Sequence, residues 1–324
     1  MSRMQTIGRS QHDFDFASYS KAKRDLIEIR LTEYLPVSSP DTLWQSMRYS
    51  VLSGGKRLRA LLCLAAAEAI VGLNSDIEPF LPLACAIEMI HAMSLIHDDL
   101  PALDNDDYRR GKLTNHKVYG EATALLAGDA LLMLAIETFI EKTIKTADPQ
   151  VMLNIISHFC HAVGASGMVG GQILDLAFTG KQQGMENDKN ETNHIDAQTI
   201  EAIHKSKTGA LIKFSVWSGA RLAKANVEQL SLLEQFADKL GFAFQIADDL
   251  LDSTGNLETL GKTPGKDLAA NKMTWVTVFG EKLAKQKMRD LEEEGLAILN
   301  NRVLQAERVK PLQELLRYAV HRKN

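Results

Sequence analysis

An apolar run over 87–96, whose only acid is Glu88, leads straight into Asp98, Asp99, Asp104, Asp106 and Asp107. Carboxylates this crowded repel one another, so they are either splayed into water or held together by a cation. Hard divalent cations take oxygen ligands and often bridge carboxylates to phosphate oxygens. On an ideal helix, at about 100° per residue, Asp98 and Asp104 point to different sides. Pro101 changes that, because it cannot continue a helix without losing a backbone bond and clashing with the preceding turn. The helix is therefore expected to end or bulge there and let Asp104 return toward Asp98.

A solvated helix end followed by an acidic loop is the ordinary explanation of one such cluster. A second cluster, Asp248, Asp249 and Asp252, again closes an apolar helical pattern. Asp248 and Asp252, spaced i and i+4, are neighbours on a helix face. Two aspartate-rich helix ends reached from hydrophobic stretches are what two walls of one cavity sharing metal ions require.

Nearly everything else reads at helical period between glycines and prolines. Amphipathic or apolar helices are expected over 15–35, 42–52, 56–72, from Pro79 and Pro82 down to the first cluster, and over 121–144, 151–164, 195–220 and 227–252. Two or three shorter ones follow between 268 and 322, and the polar stretch 179–193 reads as a surface loop. No stretch alternates with the strand period of two, and no composition shift marks a linker. The 324 residues thus predict one all-α domain, a helical bundle over 1–324.

A formal charge of -4 argues against nucleic acid, which needs a strongly basic face. Cys63, Cys85 and Cys160 lie in apolar helical surroundings without metal-ligand spacing and read as buried thiols of a reducing compartment. The first residues lack the apolar core of a signal peptide, and no run approaches the roughly 18 apolar residues of a membrane span. A cytoplasmic protein is the expectation.

Basic motifs accompany the acidic ones. In Gly54-Gly55-Lys56-Arg57-Leu58-Arg59 the glycines permit close backbone approach and the following helix N-terminus favours anions. Lys56 and Arg59, three apart, are able to face one phosphate. Arg109 and Arg110 follow the aspartates, and an arginine fork matches phosphate bidentately. His91 lies two turns before Asp98 on nearly the same face, and substrate contact is preferred to a core role. In Lys205-Ser206-Lys207-Thr208-Gly209, lysines within an apolar helical segment need an anion to offset desolvation. Lys262, Lys266 and Lys272 belong to a basic loop without the spacing of a Walker phosphate loop. Asp104-Asn105-Asp106 is no calcium loop, since the sixth position is Arg109 and the twelfth is Asn115.

Taken in order, GGKRLR, IHAMSLIHDDLPALDNDDYRRGKLTNHKVYGE, LLAGDAL, GGQILDL, HKSKTGALI, FQIADDLLD and LGKTPGKD make the chain resemble the trans-prenyl diphosphate synthases. The likeness is strongest to the bacterial farnesyl diphosphate synthases. It implies an all-α bundle around a deep cavity, usually homodimeric, with isopentenyl diphosphate and an allylic diphosphate (dimethylallyl or geranyl) as substrates. It implies further that Asp98, Asp99 and Asp104, opposite Asp248, Asp249 and Asp252, hold Mg²⁺, three ions with substrate bound. Lys56, Arg59, His91 and Arg110 are then the isopentenyl diphosphate ligands. Arg109, Lys207, Thr208, Gln245 and Lys262 are the allylic ones, with Lys272 a further diphosphate contact.

Heterolysis of a carbon–oxygen bond to diphosphate fits this residue set. Metals and cations stabilise the leaving group by electrostatic preorganisation. The Thr208 hydroxyl, the Gln245 carbonyl and apolar walls shelter the carbocation. The expected product is farnesyl diphosphate. Met93, where the family often has an aromatic floor five residues before the first aspartate, makes geranylgeranyl diphosphate the alternative. A class I terpene cyclase or a non-catalytic subunit fits less well, because both aspartate sets are intact.

Overall fold

The computed structural model describes residues 14–178, 200–201, 204–254 and 274–322. The expected polar loop over 179–193 and the basic loop carrying Lys262, Lys266 and Lys272 lie outside them. Helix α1 (Phe16–Tyr34) starts at Asp15, whose carboxylate accepts from the Ser18 backbone N–H. Next come α2 (Asp41–Val51) and α3 (Leu58–Val71), the latter closed by Gly72 at φ 108°. The prolines expected to open the next helix do so: a 3₁₀ turn (Glu78–Phe80) leads into α4 (Leu81–Asp98). Then follow α5 (Asn115–Tyr119), α6 (Glu121–Thr143), α7 (Pro149–Val163) and α8 (Met168–Phe178). A π-helical turn (Lys205–Gly209) runs into α9 (Ala210–Leu222) and then α10 (Val227–Thr254). The chain closes with α11 (Trp275–Phe279), α12 (Glu281–Leu299) and α13 (Lys310–His321).

Helices α3 and α4 form the centre because their sequences are apolar on almost every side, and most of their residues are buried. Helix α3 lies against α9 so closely that a Cβ on Gly219 would stand 2.1 Å from the Cys63 carbonyl oxygen. Helix α4 packs on α6, and α10 packs on α12. One buried cation of this centre is paired on several sides. Arg57, 3% exposed, donates to Glu28 at 2.7 and 3.0 Å and to the Val51 carbonyl at 2.7 Å, with Glu88 at 3.5 Å. It is the middle cation of the Gly-Gly-Lys-Arg string, and it serves the fold.

The all-α class holds, with one small addition and two corrections. Strands do occur, as a two-stranded antiparallel hairpin of β1 (Tyr108–Arg109) and β2 (Lys112–Leu113). With two residues per strand, no alternation is long enough to read. Cys160 is exposed on α7, while Cys63 and Cys85 are buried, because an apolar segment still has an outward face. Finally, Glu78–Asp98, Glu121–Thr143 and Pro149–Ala177 are long and apolar enough to cross a membrane, although none is an unbroken apolar run. The first is a core helix with 78% of its apolar window buried, against 39% and 22% for the others.

Candidate active site

Pro101 ends α4 as expected, and the chain folds back on the helix end. The Asp104 N–H donates to the Asp98 carbonyl at 2.8 Å, Asn105 to Leu100 at 3.1 Å, and Asp106 to Asp99 at 3.2 Å. Asp104 is thereby returned to the end that carries Asp98. The hairpin follows, and its two-residue turn is Arg110-Gly111, at φ 53° and 74°. Positive φ at both central residues is the turn that suits the twist of paired strands. It sends Arg109 back toward α4 and Arg110 toward Gly54-Gly55.

This arrangement divides the first aspartate cluster. Asp99, 3% exposed, accepts from Arg109 Nε and Nη2 at 2.6–2.9 Å through both oxygens. Asp106 backs the same guanidinium at 3.8 Å, and Asp107 pairs with Lys117 at 2.8 Å. Asp99, one of the expected metal ligands, orients Arg109 in this structure. Asp98 remains directed into the bundle. Burial raises its carboxyl above the ordinary value, with Lys207 opposing and Asp104 adding to the rise. A buried carboxylate in that state is stabilised by any cation brought to it.

Arg110 donates to the Gly54 carbonyl, and a Cβ on Gly55 (φ 136°) would lie 2.8 Å from its guanidinium carbon. Glycine at 55 is favoured by its backbone conformation, and a larger residue there would also push the arginine end aside. Arg59 leaves Nε buried with no hydrogen-bond partner among the described residues. Burial pulls the Lys56 ammonium below its usual value, with repulsion from Arg322 adding and Asp248 opposing. Burial, then Arg59 and Arg110, push His91 well below an ordinary histidine, so its imidazole is neutral. Four cations, Lys56, Arg59, Arg110 and Arg322, thus gather around a neutral histidine, a setting that favours an anion.

The opposite wall is built by α10 and the π turn. A π turn inserts one residue into a helix and often marks a functional site. Here α8 lies directly on it, since a Cβ on Gly171 would stand 2.4 Å from the Lys207 backbone nitrogen. Lys207 Nζ is held by Asp175 of α8 at 2.6 Å. On α10, Gln245 Nε2 donates to Asp249 Oδ1 at 2.9 Å. A carboxylate only accepts, so this bond fixes the amide and leaves its carbonyl oxygen for the cavity.

Asp98, His91, Arg59, Arg109 and Arg110 on one side, and Lys207, Thr208, Gln245, Asp248 and Asp249 on the other, line one cavity of about 630 Å³. Met93, Ser94, Met168, Ile173, Leu176 and Leu211 supply apolar surface. Of the carboxylates expected to hold metal, Asp98, Asp248 and Asp249 line this space, and Asp252 is 4% exposed one turn beyond. Lys262 and Lys272 lie outside the described residues. Among the described residues no three His, Cys, Asp or Glu side chains form a ready-made metal cage. That donor set fits Mg²⁺, which keeps several waters and is bound through one or two carboxylates plus substrate phosphates.

Three contributors escaped the sequence reading. Asp175 lies in the GGQILDL string, which carried no assigned role. Gln172, in the same string, lines the cavity. Arg322 also lines it and donates to Asp248 Oδ1 at 2.5 Å, yet its setting in His-Arg-Lys-Asn carries no motif.

A helical bundle whose central cavity joins two aspartate-bearing helix ends to a set of cations defines a class of diphosphate-handling synthases. The polyprenyl synthetase family profile matches residues 40–316, and the chain belongs to that family. It is 46% identical over 282 residues to a dimethylallyltranstransferase of Fischerella ambigua, covering 87% of this chain and 77% of that one. It is 41% identical over 317 residues to a geranylgeranyl diphosphate synthase of Cyanophora paradoxa, covering 97% and 99%. The apo structure of an FPP/GFPP synthase from Zymomonas mobilis superposes with a TM-score of 0.79 at 36% identity, over 94% of this chain and 99% of that one.

Proposed function

We propose that the protein is a Mg²⁺-dependent head-to-tail prenyltransferase joining isopentenyl diphosphate to an allylic diphosphate. The observation that carries this reading is that Asp98 of α4 and Asp248 of α10 line the same cavity as Arg59, His91, Arg110 and Lys207. Asp98 and Asp104 on one wall and Asp248, Asp249 and Asp252 on the other would hold Mg²⁺, three ions with substrate bound, which would neutralise the charge of the departing diphosphate. Arg109, oriented by Asp99, and Lys207, oriented by Asp175, grip that diphosphate; Lys262 and Lys272 add to it. Lys56, Arg59, Arg110 and neutral His91 receive isopentenyl diphosphate.

Chemistry follows from these placements. The allylic carbon–oxygen bond breaks and its electron pair leaves with diphosphate. The Thr208 hydroxyl and the Gln245 carbonyl, the latter fixed by Asp249, lie beside the cation. The isopentenyl double bond attacks it, and the proton lost from the new tertiary cation passes to the departed diphosphate.

Of the two expected product lengths, we favour twenty carbons. Met93 lines the cavity and is 5% exposed, so the floor is a flexible thioether in place of a ring. Two turns back along α4, Ala86 and Ile87 line a small apolar void bounded by Phe139, Phe159 and Phe214. The Cyanophora relative bears the name of a twenty-carbon synthase. Incubation with labelled isopentenyl diphosphate and each allylic primer tests both parts. Geranylgeranyl diphosphate is the expected main product, and Met93→Tyr is expected to shorten it to farnesyl diphosphate. A main product of fifteen carbons in the unmodified protein overturns the chain length; no prenyl product overturns the activity.

A further inference from the structure

The second carboxylate wall is already neutralised by a cation of the protein itself. Arg322, the residue after α13, reaches 74 positions back along the sequence to Asp248. Its Nη2 stands 2.5 Å from Asp248 Oδ1 and 3.0 Å from the Phe244 carbonyl oxygen. Its guanidinium carbon lies 3.8 Å from the centre of the Phe244 ring, a cation over an aromatic face. The side chain is 5% exposed, whereas that of Asp248 is 44% exposed and opens onto the cavity.

This contact is not fully satisfied. Arg322 Nε is buried without a hydrogen-bond partner among the described residues, and a buried unpaired donor keeps its desolvation cost. Lys56 and Arg59 lie close enough to feel the same charge, and both are repelled by it. A guanidinium held by one carboxylate, one carbonyl and one ring, with a donor left unpaired and two neighbouring cations repelling it, is a removable counter-ion. A hard dication approaching Asp248 competes with it for the same carboxylate, because the guanidinium 2.5 Å from Oδ1 and the metal repel one another as like charges.

We infer that Arg322 is a latch on Asp248: it holds the second wall in a metal-free state and swings away when a divalent cation arrives. The inference rests on the proposed role of Asp248 as a metal carboxylate. Once released, the guanidinium joins Lys56 and Arg59 as a further cation for the diphosphate of the incoming isopentenyl substrate. Binding of metal on one wall and of the second substrate are then linked through a single side chain.

The test is Mn²⁺ binding to the full chain without any diphosphate, followed by electron paramagnetic resonance, in the unmodified protein and in Arg322→Gln, Arg322→Lys and Asp248→Asn, with thermal melts to verify folding. Loss of a charge-assisted bond corresponds to about tenfold, so Arg322→Gln is expected to bind Mn²⁺ about tenfold more tightly. Arg322→Lys should fall between, and Asp248→Asn should lose affinity. If Arg322→Gln binds no more tightly than the unmodified protein while Asp248→Asn still loses affinity, the latch is wrong and the metal role of Asp248 stands. If Asp248→Asn binds Mn²⁺ as well as the unmodified protein does, the metal role fails and the latch with it.

Discussion

His91 carries no charge in the folded protein because burial and the arginines around it oppose protonation. In the unfolded chain it titrates near the usual 6.5. Between the depressed folded value and 6.5 the unfolded state binds more protons, so stability rises with pH through that window and falls on acidification. The dependence amounts to at most ~1.4 kcal/mol per pH unit. Urea unfolding of the unmodified protein and His91→Gln, compared above and below that window, is expected to give a shallower loss of stability on acidification in the variant. Equal losses would remove His91 as the source. Single residues were unevenly legible in the sequence. The glycine pair and the cations around it were readable, because charge and flexibility are local properties. The division of labour between Asp98 and Asp99 was not, since adjacent aspartates look alike until the hairpin delivers Arg109 to one of them.

At the level of elements, periodicity located the helices because their buried faces recur at 3.6 residues, and Pro101 correctly marked the end of α4. The β1–β2 hairpin is too short for any period, and its signal was Arg110-Gly111, a dipeptide read only as charge. The π turn is set by packing: α8 must lie flush against residues 205–209, and nothing local in Lys-Ser-Lys-Thr-Gly encodes the extra residue. Gly171→Ala tests that dependence. Its methyl group would meet Lys207 backbone at 2.4 Å, so α8 or the turn must shift. Overpacking of this kind costs about 1–3 kcal/mol. A misplaced Lys207 and Asp175 pair should lower kcat more than it raises KM for isopentenyl diphosphate, whose proposed ligands lie on the other wall. Unchanged kcat with a lowered melting temperature would make the contact purely structural.

On the scale of the whole molecule, α6 leaves Leu126 and Met133, seven residues apart on one face, 58% and 62% exposed, with Leu125 at 47%. Large apolar side chains gathered along a helix are characteristic of surfaces that another protein covers. We propose that a second copy of the chain covers this one, as the family resemblance implies. Sedimentation is expected to show a dimer for the unmodified protein and a monomer for Met133→Glu; a dimer surviving in Leu126→Glu/Met133→Glu would move the interface elsewhere. The proposed activity requires the two helix ends to act together. The most direct measurement is Mg²⁺-dependent turnover of Asp98→Ala and Asp248→Ala, each verified as folded by its melting curve. Removing either carboxylate is expected to lower kcat by roughly 10²–10³-fold or more, because each supports the charge that develops on the same diphosphate. Near-normal Mg²⁺-dependent turnover in either variant would contradict a shared site.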